Sequence, residues 1–133
     1  MGDATEDVKA AIRATHSFTG DYGRGACTED FSYIRPSGNP LTMDGFQGMC
    51  ESSDLEWKTY QVWSFDDVKF FAGGNACAVM YRSHQTFSYK GSPNDDVATC
   101  MSVLEKDSDG KWLVLRTQRA QGQKPEDAPP KSE

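Results

Sequence analysis

The segment "GNACAVMYRSHQTFSYKG" at residues 74–91 decides the fold, because it predicts one long strand with polar side chains in its second half. Its β-branched and aromatic residues, bounded by glycines at both ends, are typical of a strand. Arg82 and His84 are two residues apart, so both side chains point to the same face of that strand. Their function depends on whether this face meets water, a partner subunit or a ligand.

Three further segments predict strands of the same sheet. They are "LEWKTYQVWSFDDVKFFA", "DVATCMSVLEK" and "KWLVLRTQRA", at residues 55–72, 96–106 and 111–120. The intervening segments "GGN", "KGSPND" and "DSDG" are rich in residues that form tight turns. Short turns between consecutive strands predict antiparallel pairing.

The first third of the chain predicts helix, strand and helix. Apolar side chains such as Val8, Ala11 and Ile12 follow a helical period over residues 3–18, and Asp3 is placed to cap that helix. A short strand follows around "FSYI" at 31–34, and a turn ends it. Thr42 can then cap the helix "MDGFQGMCESS" at 43–53.

The length of 133 residues predicts one domain, over residues 1–122. Residues 123–133 are polar and contain three prolines, so we expect a disordered tail. The formal charge of −6 opposes contact with nucleic acid or anionic membrane surfaces. No apolar run approaches the roughly 20 residues that span a bilayer, and the acidic amino terminus does not resemble a secretory signal. A cytoplasmic protein is the expectation.

Cysteine and histidine spacing predicts no metal and no cofactor. The four cysteines are at least 23 residues apart, and His16 and His84 are the only histidines. Zinc sites use closer pairs, and no glycine-rich phosphate loop is present in the sequence. We expect the cysteines to be reduced core residues rather than disulfides.

A provisional register places polar side chains together. Centring the turn on "GSPND" pairs His84 with Ser102 and Thr86 with Cys100, which puts Arg82, His84, Ser102 and Arg119 on one face. Both faces then carry apolar and polar side chains. We therefore expect helices to cover one face and a second subunit to cover the other, with a polar cavity at one end. A single bulge would exchange the faces.

Three stretches together resemble a known superfamily. They are "DFSYIRPSGNPLTMDGF" at 30–46, "GNACAVMYRSHQTF" at 74–87 and "DGKWLVLRTQRAQG" at 109–122. They are similar to the nuclear transport factor 2-like (cystatin-like cone) superfamily, which includes SnoaL-like cyclases and ketosteroid isomerase. Within it, the calcium/calmodulin-dependent protein kinase II association (hub) domains look most similar. The resemblance implies an α+β fold, in which a strongly bent antiparallel sheet wraps around N-terminal helices and forms a cone with a pocket.

The resemblance also implies a role for Arg82, which matches an arginine that lines the cavity of hub domains. A second cavity arginine of that family falls on Ser102, and its late histidines are replaced by Arg116 and Gln118. The candidate ligand-binding residues are Arg82, His84, Tyr33, Ser102, Tyr60 and Arg119.

Two functions remain open. The first is a self-associating module, a homodimer or larger ring, whose pocket takes a small anionic or amphipathic ligand; an arginine fork suits a carboxylate. The second is a cofactor-free enzyme of the isomerase, cyclase, dehydratase or metal-free carbonic anhydrase kind. Isomerase chemistry needs a carboxylate base opposite an acid donor, and Asp30 or Asp44 with a tyrosine could supply them, but no spacing identifies such a pair. The first function is therefore favoured.

Overall fold

A computed structural model describes residues 3–132, which form two α-helices and a six-stranded sheet. The helices and strands are α1 (Ala4–Thr15), β1 (Cys27–Ile34), β2 (Pro40–Thr42), α2 (Met43–Cys50), β3 (Leu55–Phe71), β4 (Ala76–Tyr89), β5 (Ser92–Lys106) and β6 (Trp112–Arg119). Short 3₁₀ turns lie at Arg24–Ala26, Ala72–Gly74 and Pro125–Asp127. The predicted domain and tail also include residues 1, 2 and 133, which lie outside the described residues.

Both helices begin at the caps that the sequence predicts. Asp3 accepts a hydrogen bond from the Thr5 amide at 2.9 Å, and Thr42 accepts one from the Gly45 amide at 3.1 Å. Each bond satisfies an amide that has no partner inside the helix. Val8 and Ile12 of α1 are completely buried, as the helical period predicts.

The sheet has the strand order β2-β1-β6-β5-β4-β3, and the α+β class is confirmed. β3 to β6 form the predicted antiparallel series. β1 runs parallel to β6, so the sheet is mixed rather than purely antiparallel. The pairing is possible because β1 and β6 are separated by most of the chain, and parallel neighbours need a long connection. Three bulges in β3 and one between β5 and β6 interrupt the regular ladder, and such bulges bend a sheet.

The register between β4 and β5 differs from the prediction. Tyr89 pairs with Ser92, so the turn is the dipeptide Lys90-Gly91 and not the later "GSPND". Both turn residues have positive φ, 51° and 84°, as in a type I′ hairpin. His84 consequently lies opposite Val97 and not Ser102. The observed register differs from the predicted one by an odd number of residues. Ser102 therefore lies on the face of the sheet opposite to that of His84.

The two faces of the sheet have different surroundings. The inner face, which carries Val79, Tyr81 and Leu104, packs on α1 and α2 and forms the core. The outer face carries Met80, Arg82 and His84, which alternate with the buried residues of β4. Met80 lies opposite Met101 of β5, and the two side chains are 43% and 46% exposed. All four cysteines are free thiols, and three of them are buried.

The carboxy-terminal residues lie on the sheet. Gln123 pairs with Val97 of β5, and both Pro129 and Ser132 hydrogen-bond to Trp63 of β3. This arrangement differs from the disordered tail that composition predicts. Prolines reduce the conformational entropy of the unfolded chain, so that few contacts are needed to order such a segment. None of the helices between residues 3 and 132 is long and apolar enough to span a bilayer.

Candidate functional site

A cavity of about 430 Å³ lies between α2, the end of β1 and the adjoining ends of β3, β4 and β6. Its lining residues are mostly aromatic or apolar, with a few polar groups among them: Tyr33, Arg35, Pro36, Phe46, Met49, Ser52, Leu55, Trp57, Gln85, Phe87, Tyr89 and Arg119. Its volume and composition are typical of small-molecule sites.

Arg119 is the charged group in the depth of this cavity. The residue is only 7% exposed, and its Nη2 forms an ion pair with Asp96 of β5. Its buried Nε–H has no hydrogen-bond partner. Buried polar groups in folded proteins are almost always paired, so an arginine with a spare donor indicates a place where another acceptor can bind.

The electrostatic character of the cavity is positive. Arg35 is its second cation, and the Arg35 Nε donates to the Asn39 carbonyl oxygen at 3.1 Å. The lining contains no Asp, Glu, His or Cys. Asp96 neutralises part of the charge of Arg119, and Arg35 adds to it.

A chain of hydroxyl groups lies in the core on the inner face. The Tyr81 and Ser102 hydroxyls are 2.9 Å apart, and the Ser102 and Thr117 hydroxyls are 2.7 Å apart. Burial raises the pKa of Tyr33, Tyr60 and Tyr81 above the usual tyrosine value. These tyrosines are therefore neutral near pH 7, and each hydroxyl can donate a hydrogen bond but does not act as a base.

The structure places two of the six predicted site residues in the lining of this cavity and two others in or against the core. Tyr33 and Arg119 line the cavity. Tyr60 lies behind it, with its ring centroid 6.2 Å from that of Phe46, and Ser102 is buried in the hydroxyl chain. The shared inner face of Ser102 and Arg119 agrees with the sequence analysis.

Arg82 and His84 are on the outer face, away from the cavity. They share a face, as their spacing predicts, but the corrected register separates that face from Ser102. Arg82 Nη1 lies 3.6 Å from the Asp66 carboxylate, and His84 Nε2 lies 2.6 Å from the Asp95 carboxylate. Their predicted place in the pocket is therefore corrected.

His16 is a partly buried polar residue that the sequence analysis did not select. Its Nδ1 lies 2.8 Å from the Ile12 carbonyl oxygen, so Nδ1 carries the proton, and Nε2 accepts from the Ser83 hydroxyl at 3.0 Å. Burial is the main cause that lowers the pKa of His16 to about 4. Ser83 is almost completely buried, and this hydrogen bond holds α1 to β4. Because His16 is four residues after the buried Ile12, the helical period alone could have placed it on the side of α1 that faces the sheet.

Within residues 3–132, no group of three or more His, Cys, Asp or Glu side chains could hold a metal ion. Gln85, Arg35 and Trp57 are cavity residues that the sequence did not indicate, because the register and the loop after β1 decide their positions.

Comparison with known proteins adds a family and a set of structural neighbours. The sequence profile of a family described as "Protein of unknown function (DUF3804)" matches residues 5–127. No curated protein matches the chain. An NTF2-like protein of unknown function from Prochlorococcus has 31% sequence identity and a TM-score of 0.83, over 95% of this chain and 98% of that chain.

Two more distant structures share the fold. A protein described as a calcium/calmodulin-dependent kinase II association domain, from Exiguobacterium sibiricum, has a TM-score of 0.74 and 15% identity over 94% of this chain and 97% of its own. A ketosteroid isomerase-like protein from Erwinia carotovora atroseptica has a TM-score of 0.63 and 15% identity, over 92% of both chains. The NTF2-like and association-domain resemblance that the sequence indicates is confirmed.

Proposed function

The chain belongs to the family described as "Protein of unknown function (DUF3804)" and has the NTF2-like fold, and from this premise we propose that it is a self-associating module that binds a small amphipathic anion. The proposal of an anionic ligand rests on Arg119. This buried arginine lies in a largely apolar cavity, and one of its N–H donors is unpaired.

The cavity favours a ligand with one anionic group and an apolar body. A carboxylate near Arg119 receives charge-assisted hydrogen bonds, which are about twice as strong as bonds between neutral groups. Trp57 and Phe87, whose ring centroids are 5.4 Å apart, offer aromatic surface for the rest of the ligand. Arg35 adds attraction for the anion.

The enzyme alternative lacks a reactive group in this cavity. A proton transfer needs a base within hydrogen-bond reach of the substrate. The lining offers arginine, tyrosine, glutamine and serine side chains, and the pKa of its buried tyrosine, Tyr33, is raised. Binding without turnover is therefore the function that we propose.

Titration calorimetry with benzoate, and with benzamide as its neutral analogue, tests the ligand. We expect benzoate to bind at least about tenfold more tightly, because only the anion forms charge-assisted bonds with Arg119. The Arg119→Lys variant keeps the charge but loses the planar fork, and it should bind benzoate at least about fivefold more weakly.

Arg116→Gln is the matched control, because Arg116 contacts Asp30 and does not line the cavity. The proposal of an anionic ligand would be contradicted by equal affinity for benzoate and benzamide. It would also be contradicted by an Arg119→Lys variant that binds benzoate as tightly as the parent chain.

Self-association is the second half of the proposal. Solved neighbours include association and hub homology domains of calcium/calmodulin-dependent kinase II. The outer face supports a homodimer, because Met80 and Met101 form an exposed apolar pair at the centre of the sheet. Light scattering should give about twice the chain mass of 14.7 kDa, and a mass equal to one chain at all concentrations would contradict this half.

A further inference from the structure

The tail crosses the sheet between two fixed points. Val97 and Gln123 exchange two backbone hydrogen bonds of 2.8 Å, which hold the tail beside β5. Pro129 and Ser132 then contact Trp63 of β3. Since β4 lies between β5 and β3, residues 124–128 have to cross it. They cross on the outer face, because the Trp63 ring meets the edge of His84 there, with centroids 5.2 Å apart.

Trp63 holds the tail through both its side chain and its main chain. The indole Nε1–H donates to the Pro129 carbonyl oxygen at 2.7 Å, and the Ser132 amide donates to the Trp63 carbonyl oxygen at 3.0 Å. The two bonds enclose the segment 129–132. Trp63 is placed for both because β3 is an edge strand and its register shifts between Val62 and Ser64.

Ala128, the residue before the Trp63 contacts, has the polyproline II backbone conformation, with φ −83° and ψ 156°. Lys124, on the other side of the 3₁₀ turn Pro125–Asp127, has a similar conformation, with φ −64° and ψ 145°. A residue before proline is restricted to this region, and Pro129 and Pro130 follow Ala128. A polyproline II segment makes no internal hydrogen bonds, so its carbonyl groups are available to a tryptophan N–H.

We propose that Trp63 and the adjoining edge of β3 form a docking site for extended, proline-containing segments. Residues 128–132 of the chain itself are its resident ligand. Recognition of polyproline II segments at aromatic side chains is a general mode of peptide binding, and β3 adds a strand-like backbone contact. The proposal rests on the tail contacts alone and is independent of the cavity.

A full-length variant that empties the site tests this proposal. Ala128→Gly, Pro129→Gly and Pro130→Gly together keep the length of the tail but remove its preformed conformation. We expect the Trp63 indole N–H to exchange with solvent at least about tenfold faster in this variant, because the free tail loses more entropy on docking. Nuclear magnetic resonance resolves the signal, and Trp63→Phe assigns it among the three tryptophans.

A peptide of residues 124–132 is then added to the triple-glycine chain. It should bind saturably and slow the exchange again, whereas the parent chain should need at least about tenfold more peptide, because its own tail competes at a millimolar effective concentration. Pro125→Gly is the control, since Pro125 is a tail proline outside the Trp63 contacts. Unchanged indole exchange in the triple-glycine chain, no binding of the peptide, or equal binding after Trp63→Phe would overturn the proposal.

Discussion

At the scale of single residues, Gly122 lies directly against the ion pair beside the cavity. A Cβ atom on Gly122 would lie 2.5 Å from the Cγ atom of Asp96, a distance that side chains do not tolerate. Asp96 in turn pairs with Arg119. The absence of a side chain at position 122 therefore lets the tail pass close to the carboxylate that orients the cavity arginine.

Gly122→Ala should lower the free energy of unfolding by roughly 1–3 kcal/mol, the usual cost of an added methyl group in a packed site. It should also weaken benzoate binding, because Asp96 has to move away from Arg119. Urea unfolding measures the first effect and calorimetry the second. Gly48→Ala is the matched control, since nothing lies within 4 Å of its Cβ position in α2 and alanine favours a helix. Equal stability of the two variants would contradict this account.

His16 makes the stability of the protein depend on pH. Its pKa of about 4 in the folded chain is lower than the ordinary value of 6.5, because burial disfavours the charged ring. The unfolded chain then binds more protons between these two values. The contribution of neutral His16 to the free energy of unfolding is therefore complete above pH 6.5 and is lost as the pH falls towards 4.

We expect the free energy of unfolding to fall by roughly 2 kcal/mol between pH 7 and pH 4.5 because of His16. This fall is smaller than the whole pKa shift of His16 would give, because the ring is only partly buried. Urea titrations at several pH values measure it. The fall should be smaller in His16→Gln. His84→Gln removes the other histidine of the chain and should keep the fall. A decline of equal size in all three proteins would assign it to other groups.

At the scale of secondary-structure elements, the β4–β5 hairpin depends on a lysine in an unfavourable conformation. Lys90 has φ 51°, a region that non-glycine residues rarely occupy. The Lys90 amide donates to the Asp54 carbonyl oxygen at 2.7 Å, and this contact helps to hold the turn. Asparagine tolerates positive φ and keeps the amide.

Lys90→Asn should therefore raise the free energy of unfolding by roughly 0.5–1 kcal/mol, because Asn-Gly suits a two-residue hairpin turn. Gly91→Val should lower it by more, since a β-branched residue at φ 84° is strained. Thermal unfolding of the two variants measures both changes. If Lys90→Asn lowered the melting temperature, the side chain of Lys90 rather than the turn geometry would stabilise the hairpin.

This hairpin also explains which features the sequence could predict. The caps at Asp3 and Thr42, the two helices and four long strands follow from local patterns, which the structure confirms. The register does not, because "KG" carries a weaker turn signal than the neighbouring "SPND". Side chains alternate along a strand, so an odd shift in the predicted β4–β5 register was enough to group Arg82 and His84 with Ser102. In the structure they lie on the outer face instead.

The cavity itself was predictable only in part. The sequence analysis named Tyr33 and Arg119, which line the cavity, and it placed Arg119 and Ser102 on one face of the sheet, where the structure also has them. Arg35 and Trp57 reach the cavity through a loop and a bulged strand, whose conformations depend on tertiary contacts rather than on local patterns.

At the scale of the whole molecule, helices cover the inner face of the sheet, whereas the outer face is crossed by the tail. Met80 and Met101 lie opposite each other on the outer face, and each remains more than 40% exposed. Fully burying a methionine side chain contributes about 1.5–3 kcal/mol. In the proposed dimer, twofold symmetry would make each residue contribute twice, so we expect this pair to provide a large share of the association energy.

Met80→Glu and Met101→Glu together should convert a dimer into a monomer in sedimentation experiments, because four carboxylates would then be buried without partners. Phe71→Glu is the matched control, since Phe71 is a similarly exposed apolar residue at the far end of β3. The stability of the monomer should change little, as both methionines are exposed. The parent chain carries a charge of −6, so added salt should strengthen the proposed dimer by screening repulsion between copies. A double-glutamate variant that stayed dimeric, while Phe71→Glu became monomeric, would place the interface at the edge of the sheet instead of on its outer face.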